Sequence, residues 1–287
     1  MSGYAESETG GYRVGFGLVE GRVLPAGSAP VSTASAATAS TARYGDFKLY
    51  GYWRSSCSWR VRCALGLKGV QYEYIPVDLS RLVGNTDVTL PAEFLKLNPM
   101  EQVPLLQFTD SYSGTTEYLT QSLPIIEFID EVFSGAESTG LSINLLPTDL
   151  LLRARVRQIS EIVNSGIQPI HNIRNLRQIK TAVLISSDSE MAVDSSGFAR
   201  DGMIRGLTTL EALVYSLRVG KTGEVFAAGT AGPTMADLCI PPLLYSAGRF
   251  GIDTKMFPSL VAVDALCGAI DAFASAVPER QIDAPQV

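Results

Sequence analysis

From Phe47 onward the apolar positions of the chain change period repeatedly. Phe47 to Tyr52 reads as a strand, Ser58 to Lys68 as a helix ended by Gly69, and Tyr72 to Val77 as a second strand whose apolar residues alternate on a period of two. A strand, a helix and a strand in succession predict a parallel pair joined by a crossover. A polar excursion from Ser80 to Asn98 carries a predicted short helix, Ala92 to Leu97, before Pro99. Val103 to Phe108 supplies a third strand, Asp110 to Gly114 has turn chemistry, and Glu117 to Thr120 pairs back as a fourth strand. Ser122 to Phe133, with Pro124 in its first turn, is the closing helix.

That order describes an α/β thioredoxin-like domain over residues 46–133. Ser134 to Thr148 is a linker by composition. Beyond Asp149 apolar residues recur at helical spacing, as in Leu152, Val156, Ile159 and Val163, and no convincing strand follows, so 149–287 is expected to be an all-α C-terminal domain. Residues 1–45 differ from the rest. They are glycine-rich at first and then almost purely Ala, Ser, Thr, Pro and Gly from Pro25 to Ala42, a composition that buries no core and predicts a disordered extension. Glu6, Glu8 and Glu20 balance Arg13, Arg22 and Arg43, which argues against a transit peptide. The expected compartment is the cytoplasm, with organelle import through this extension as the alternative.

The chain has 287 residues, 46% of them hydrophobic, enough for two cores. Its net charge of −6 offers no positive field for nucleic acid or an anionic membrane. No apolar run reaches a membrane helix: Pro241 and Pro242 break one candidate, Asp264 and Asp271 another. Cys57, Cys63, Cys239 and Cys267 form neither a CxxC pair nor a metal-ligand ladder, which fits a reducing compartment. With His171 as the one histidine, a catalytic triad, a Cys-His pair or a histidine-rich metal centre would have to be built around it, and no metal is expected.

Candidate chemistry gathers where the first strand meets the first helix. Ser55, Ser56 and Cys57 sit at the free N–H groups and positive dipole end of that helix, where anions are favoured. Val103-Pro104 opens the third strand, where an X-Pro bond in cis would present the Val103 backbone to a bound peptide. Gln121-Ser122 begins the closing helix, a second place to receive a carboxylate. Thr234 to Asp237 is a capping box and is read as structural.

The segment Ser55-Ser56-Cys57-Ser58-Trp59-Arg60-Val61-Arg62 resembles the N-terminal signature of zeta-class glutathione transferases. The likeness continues through Asn98 to Pro104, Gln121-Ser122-Leu123, Gly166-Ile167-Gln168-Pro169, Thr234 to Cys239 and the closing Gln281-Ile282-Asp283-Ala284-Pro285. The resemblance implies the glutathione transferase fold, glutathione as cofactor, an electrophilic acid as substrate, a homodimer, and no nucleic-acid or membrane partner. The reaction it implies is cis–trans isomerisation of maleylacetoacetate to fumarylacetoacetate by reversible thiolate addition.

By the same resemblance, Ser55, Ser56 and Cys57 are catalytic, and they bind glutathione together with Arg60, Val103, Gln121, Ser122 and Gln168. The resemblance makes Arg249 a substrate-binding residue, and helical spacing from Gln168 adds Asn172 and Arg174. Asn172 and Arg174 are expected about one helical turn beyond Gln168. Ionising a thiol of pKa near 8.5 at neutral pH takes about 2.7 kcal/mol of preference for the thiolate. A charge-assisted bond from a serine hydroxyl contributes about 1.5–3 kcal/mol and a helix N-terminus about 0.3–2 more, so no histidine is needed.

Conjugation, peroxide reduction and dehalogenation of α-halo acids use the same cradle, and a non-catalytic docking module is the alternative of another kind. The chain departs from the family pattern at Thr89-Leu90-Pro91, where a glutamine contact to glutathione is often found. The hairpin around Asp110 to Glu117 and the segment Ala182 to Ala199 also look longer than usual.

Overall fold

The computed structural model describes residues 43–79, 92–134, 143–186 and 194–285. The departure at Thr89 to Pro91, nearly all of the N-terminal extension and part of the long 182–199 segment lie outside them.

Four strands, β1 (Tyr44–Gly51), β2 (Glu73–Pro76), β3 (Leu105–Asp110) and β4 (Thr115–Thr120), form one sheet in the order β2-β1-β3-β4. β1 runs parallel to β2, with Leu49 opposite Tyr74, and antiparallel to β3, with Leu49 opposite Leu106; β3 and β4 are antiparallel. The crossover between β1 and β2 is helix α1 (Ser56–Leu67). β1 starts earlier than its apolar run suggests. Arg43 clamps Asp110 through two bonds of 3.0 and 2.6 Å, which extends the ladder to Tyr44, and a bulge with Asp46 at φ 53° absorbs the irregularity. β4 likewise begins at Thr115, its exposed first half carried by pairing to β3 rather than by burial.

Short α2 (Ala92–Leu97) precedes the third strand, and α3 (Ser122–Val132) closes the sheet. The remaining elements are helical: α4 (Leu150–Glu161), α5 (Ile173–Ser186), α6 (Ser195–Arg218), α7 (Met235–Arg249), α8 (Pro258–Gly268) and α9 (Asp271–Ala276). The architecture is therefore a thioredoxin-like sheet followed by an all-helical region. No helix among the described residues is long and apolar enough to cross a membrane.

α4 does not run on in regular geometry. It widens into a π-helical turn, Ile162–Ile167, then tightens into a 3₁₀ turn, Gln168–His171, which ends at Asn172 with extended backbone. The segment packs onto two glycines of α6: a Cβ at Gly206 would lie 2.4 Å from the Ile167 side chain, and one at Gly202 would lie 2.5 Å from that of Ile170. Asn172 is thus not on the same helix as Gln168. It breaks the chain before α5, and its Oδ1 accepts the Arg174 N–H at 3.0 Å.

α1 is buried along almost its whole length. It packs against α3, α7 and α9, and its apolar side chains share a core with Phe47, Leu49, Leu106 and Phe108 of the sheet.

Candidate active site

A cavity of about 430 Å³ opens between the head of α1, the loop before β3, the β4–α3 turn and the wall formed by residues 164–177 and the end of α7. Ser55, Ser56 and Cys57 line it from the head of α1. Ser55 is the N-cap: its Oγ accepts the Ser58 N–H at 3.2 Å, which occupies a lone pair and leaves the hydroxyl hydrogen free to donate. Cys57 is half-buried with a free thiol.

The Val103-Pro104 bond is cis, and both residues line the cavity. Beside them Glu101 holds a φ of 57°. Across the floor, Gln121 has φ 72° and makes no capping bond with its side chain, while Ser122 opens α3. Left-handed backbone at a non-glycine residue costs roughly 1–3 kcal/mol and is concentrated at binding sites. Here it occurs at two residues that line the same cavity.

Arg60 is placed differently from the sequence expectation. It does not line the cavity. Only 1% exposed, it donates from Nη1 to Ser122 Oγ at 3.2 Å and to Asn164 Oδ1 at 2.9 Å. With its oxygen accepting from Arg60, Ser122 presents its own hydrogen to whatever enters the cavity. Arg60 therefore acts through Ser122, because its place on α1 points it into the joint between the sheet and the helices.

Gln168, Asn172 and Arg174 all reach the cavity from the opposite wall. Arg174 forms an ion pair with Glu101 and also donates to the Met100 carbonyl at 3.3 Å, bridging the two sides at the mouth. Arg249 lines the cavity from the end of α7, accompanied by two guanidinium groups that sequence reasoning did not select, Arg54 and Arg177. Partial burial, and then the nearby Arg54 charge, push Arg249 below its ordinary pKa. Arg54 stacks 5.1 Å over the Trp53 ring.

His171, set aside from the sequence, is also in the wall. Its Nδ1 lies 3.2 Å from the Ile167 carbonyl, which can only accept, so Nδ1 carries the proton and Nε2 is an acceptor. Burial pushes its pKa down to about 4, and the Arg60 and Arg249 charges push the same way against the Ile167 bond. The imidazole is neutral at physiological pH. The signal available in the sequence was its spacing three residues after Gln168, which becomes informative only once the 3₁₀ turn is known.

This arrangement offers hydrogen-bond donors and a helix N-terminus to one anion and a cationic wall to another. The model for the N-terminal domain of glutathione S-transferase matches residues 54–132. A probable maleylacetoacetate isomerase of Caenorhabditis elegans is 38% identical over 235 residues, 82% of this chain and 94% of its own length. A solved maleylacetoacetate isomerase of Anaeromyxobacter dehalogenans with bound GSH is 38% identical, covers 85% of this chain and 99% of its own, and superposes with a TM-score of 0.68. The same bacterium's enzyme with dicarboxyethyl glutathione and citrate in the active site is 39% identical, covers 84% and 94%, and has a TM-score of 0.66.

Proposed function

The chain belongs to the family of zeta-class glutathione transferases and maleylacetoacetate isomerases, and from that premise we propose that it isomerises maleylacetoacetate to fumarylacetoacetate with glutathione as cofactor. The observation that carries the reading is the single cavity that joins the head of α1 to the Arg54 and Arg249 wall.

The residues present fit a thiol tripeptide. Ser55 and the free N–H groups of α1 receive the sulfur, Val103 meets the peptide backbone, and Gln121 with Ser122 receives the γ-glutamyl carboxylate. Gln168 faces them from the opposite wall. Ser122 suits that role because Arg60 fills its acceptor and leaves a donor. Bound glutathione supplies the thiolate that adds to the substrate's conjugated double bond and leaves it after rotation. Ser55 favours the ionised sulfur by donating to it, and the α1 dipole adds to the effect. Arg249 and Arg54 orient the acid and stabilise negative charge developing on its oxygens. Asn172 and Arg177 complete that side. Arg174 joins them by exchanging Glu101 for a substrate carboxylate.

The test is turnover of maleylacetone by the purified protein with and without glutathione. The expected result is isomerisation that needs glutathione, leaves its concentration constant, and falls about 100-fold or more in Ser55→Ala, as loss of a donor to a developing charge does. Arg249→Ala should lose turnover of the cis acid while still binding glutathione. Cys57 lines the same cavity, so thiol transfer through a mixed disulfide is the competing chemistry. It predicts the reverse pattern, with Cys57→Ser inactive and Ser55→Ala active.

A two-fold homodimer is part of the proposal, supported by family membership and tested by light scattering. The proposed location is the cytoplasm, and fractionation with and without residues 1–42 tests it.

A further inference from the structure

Trp53, Arg54 and Ser55 form the turn that delivers the reactive serine, and its hydrogen bonds come from the far end of the chain. The Trp53 N–H donates to Asp283 Oδ2 at 2.9 Å across 230 residues of sequence. The Tyr74 hydroxyl donates to the same oxygen at 3.4 Å. The Trp53 carbonyl accepts Arg62 Nη2 at 3.0 Å, and that buried guanidinium donates through Nε and Nη2 to the Ala276 carbonyl at 3.1 and 3.0 Å. Both polar groups of the Trp53 peptide unit pair are thus anchored to the C-terminal segment, directly or through one side chain. Within the turn, the Ser55 N–H closes onto the Tyr52 carbonyl at 2.9 Å.

The tail is itself held. Gln281 Nε2 donates to the Ser275 and Val277 carbonyls at 3.0 and 2.9 Å, and the Ala284 N–H donates to the Gln281 carbonyl at 3.0 Å. Asp283 Oδ1 and Arg62 Nη1 are both buried without a protein partner among the described residues. A buried carboxylate oxygen with no partner is costly, and Asp283 bears that cost while its other oxygen accepts the Trp53 N–H and the Tyr74 hydroxyl.

We infer that Asp283 is a positioning residue for the reaction proposed above, fixing the Trp53–Ser55 turn so that Ser55 meets the bound sulfur in the donating geometry. It touches neither glutathione nor the substrate. Its effect runs through one backbone N–H, two residues before the serine. Misplacement of a reacting group by about 1 Å costs on the order of 100-fold in rate, and loss of a supporting contact about 10- to 100-fold.

The experiment compares full-length wild type, Asp283→Ala and Asp283→Asn in three measurements: maleylacetone turnover, thiolate absorbance of bound glutathione against pH, and amide exchange at Trp53 and Ser55 in the ligand-free protein. Asp283→Ala should lower kcat by about 10- to 100-fold, move ionisation of the bound thiol to higher pH, and speed exchange at the turn, with glutathione still binding. Asp283→Asn keeps a carbonyl acceptor for the Trp53 N–H and should recover most of kcat and of the thiol profile. If Asp283→Ala loses thermal stability but keeps kcat and the thiol profile, the inference is overturned. Should that variant not fold, Asp283→Glu, which shifts the acceptor by one methylene, replaces it: lowered kcat in a folded protein supports the inference, unchanged kcat overturns it. If wild type binds glutathione but does not isomerise, the functional proposal fails instead, and the thiol profile still decides the role of Asp283.

Discussion

His171 is the residue whose behaviour the cavity changes most. Its pKa falls from an ordinary 6.5 to about 4, chiefly through burial, so the folded state takes up a proton less readily than the unfolded chain. Between those two values the unfolded state binds more protons, and stability from this group rises with pH: it is fully present above about 6.5 and is lost as pH falls toward 4. At pH 5 the linkage amounts to roughly 2 kcal/mol. Urea unfolding should show wild type losing about that much more than His171→Asn between pH 8 and pH 5, and equal losses in the two proteins would refute the assignment. The same residue shows the limit of reading the site from sequence. Ser55, Ser56, Cys57, Gln121 and Ser122 were legible because each stands next to a helix start, a local feature. Arg54, Arg177 and His171 were not, because their access to the cavity depends on a turn between β1 and α1, on the face that α5 presents, and on an irregular helix held by tertiary packing.

At the scale of elements, α7 shows a local signal carried to its full structural consequence. Its capping box is present, with Asp237 Oδ2 accepting the Thr234 N–H and Oγ1–H at 2.8 Å each, and Oδ1 also reaches outside the helix to the Ala227 N–H at 2.8 Å. Asp237 is fully buried, and burial pushes its pKa up to about 6 against these three bonds. Pro241 frees the Asp237 carbonyl from its usual helical donor, and Cys267 Sγ stands 3.9 Å from it. Asp237→Ala strands three buried donors at about 1–3 kcal/mol each, so a loss of roughly 3–9 kcal/mol is expected in urea unfolding at pH 7.5. A loss below 1 kcal/mol would mean that water replaces the carboxylate. Strand limits were harder to read than this box: β1 gains Tyr44 from the Arg43 clamp on Asp110, and β4 gains Thr115 from its partner strand. The π and 3₁₀ turns over 162–171 were invisible because glycines about 35 residues away on α6 make room for Ile167 and Ile170.

At the scale of the whole molecule, the sheet region and the helical region have separate chain segments but not separate interiors. Three long side chains within one turn of α1 show this. Trp59 meets Tyr245 edge to face at 5.5 Å between ring centroids, Arg60 reaches Asn164, and Arg62 reaches the Ala276 carbonyl. At the other joint, buried Lys68 lies 2.7 Å from Asp130 Oδ1 and donates to the Ile143 carbonyl, while the Asp130 carboxylate accepts the Leu145 and Leu146 N–H groups at 2.8 and 3.0 Å. Removing residues 143–285 would take away the partners of α1 and expose Trp59 and its apolar neighbours, at about 1.5–3 kcal/mol for each large side chain. A few such side chains equal the whole stability of a small domain, about 5–15 kcal/mol. The intact chain should therefore unfold in one cooperative transition, and a fragment of residues 43–134 should lack native near-ultraviolet dichroism and unfold without a transition. Because the cavity takes residues from both regions, glutathione should raise the single Tm, adding about 1.4 kcal/mol for each tenfold increase in concentration above its Kd. Two resolved transitions, only one of them responding to glutathione, would show instead that the sheet region holds its own core and binds the tripeptide without the helices.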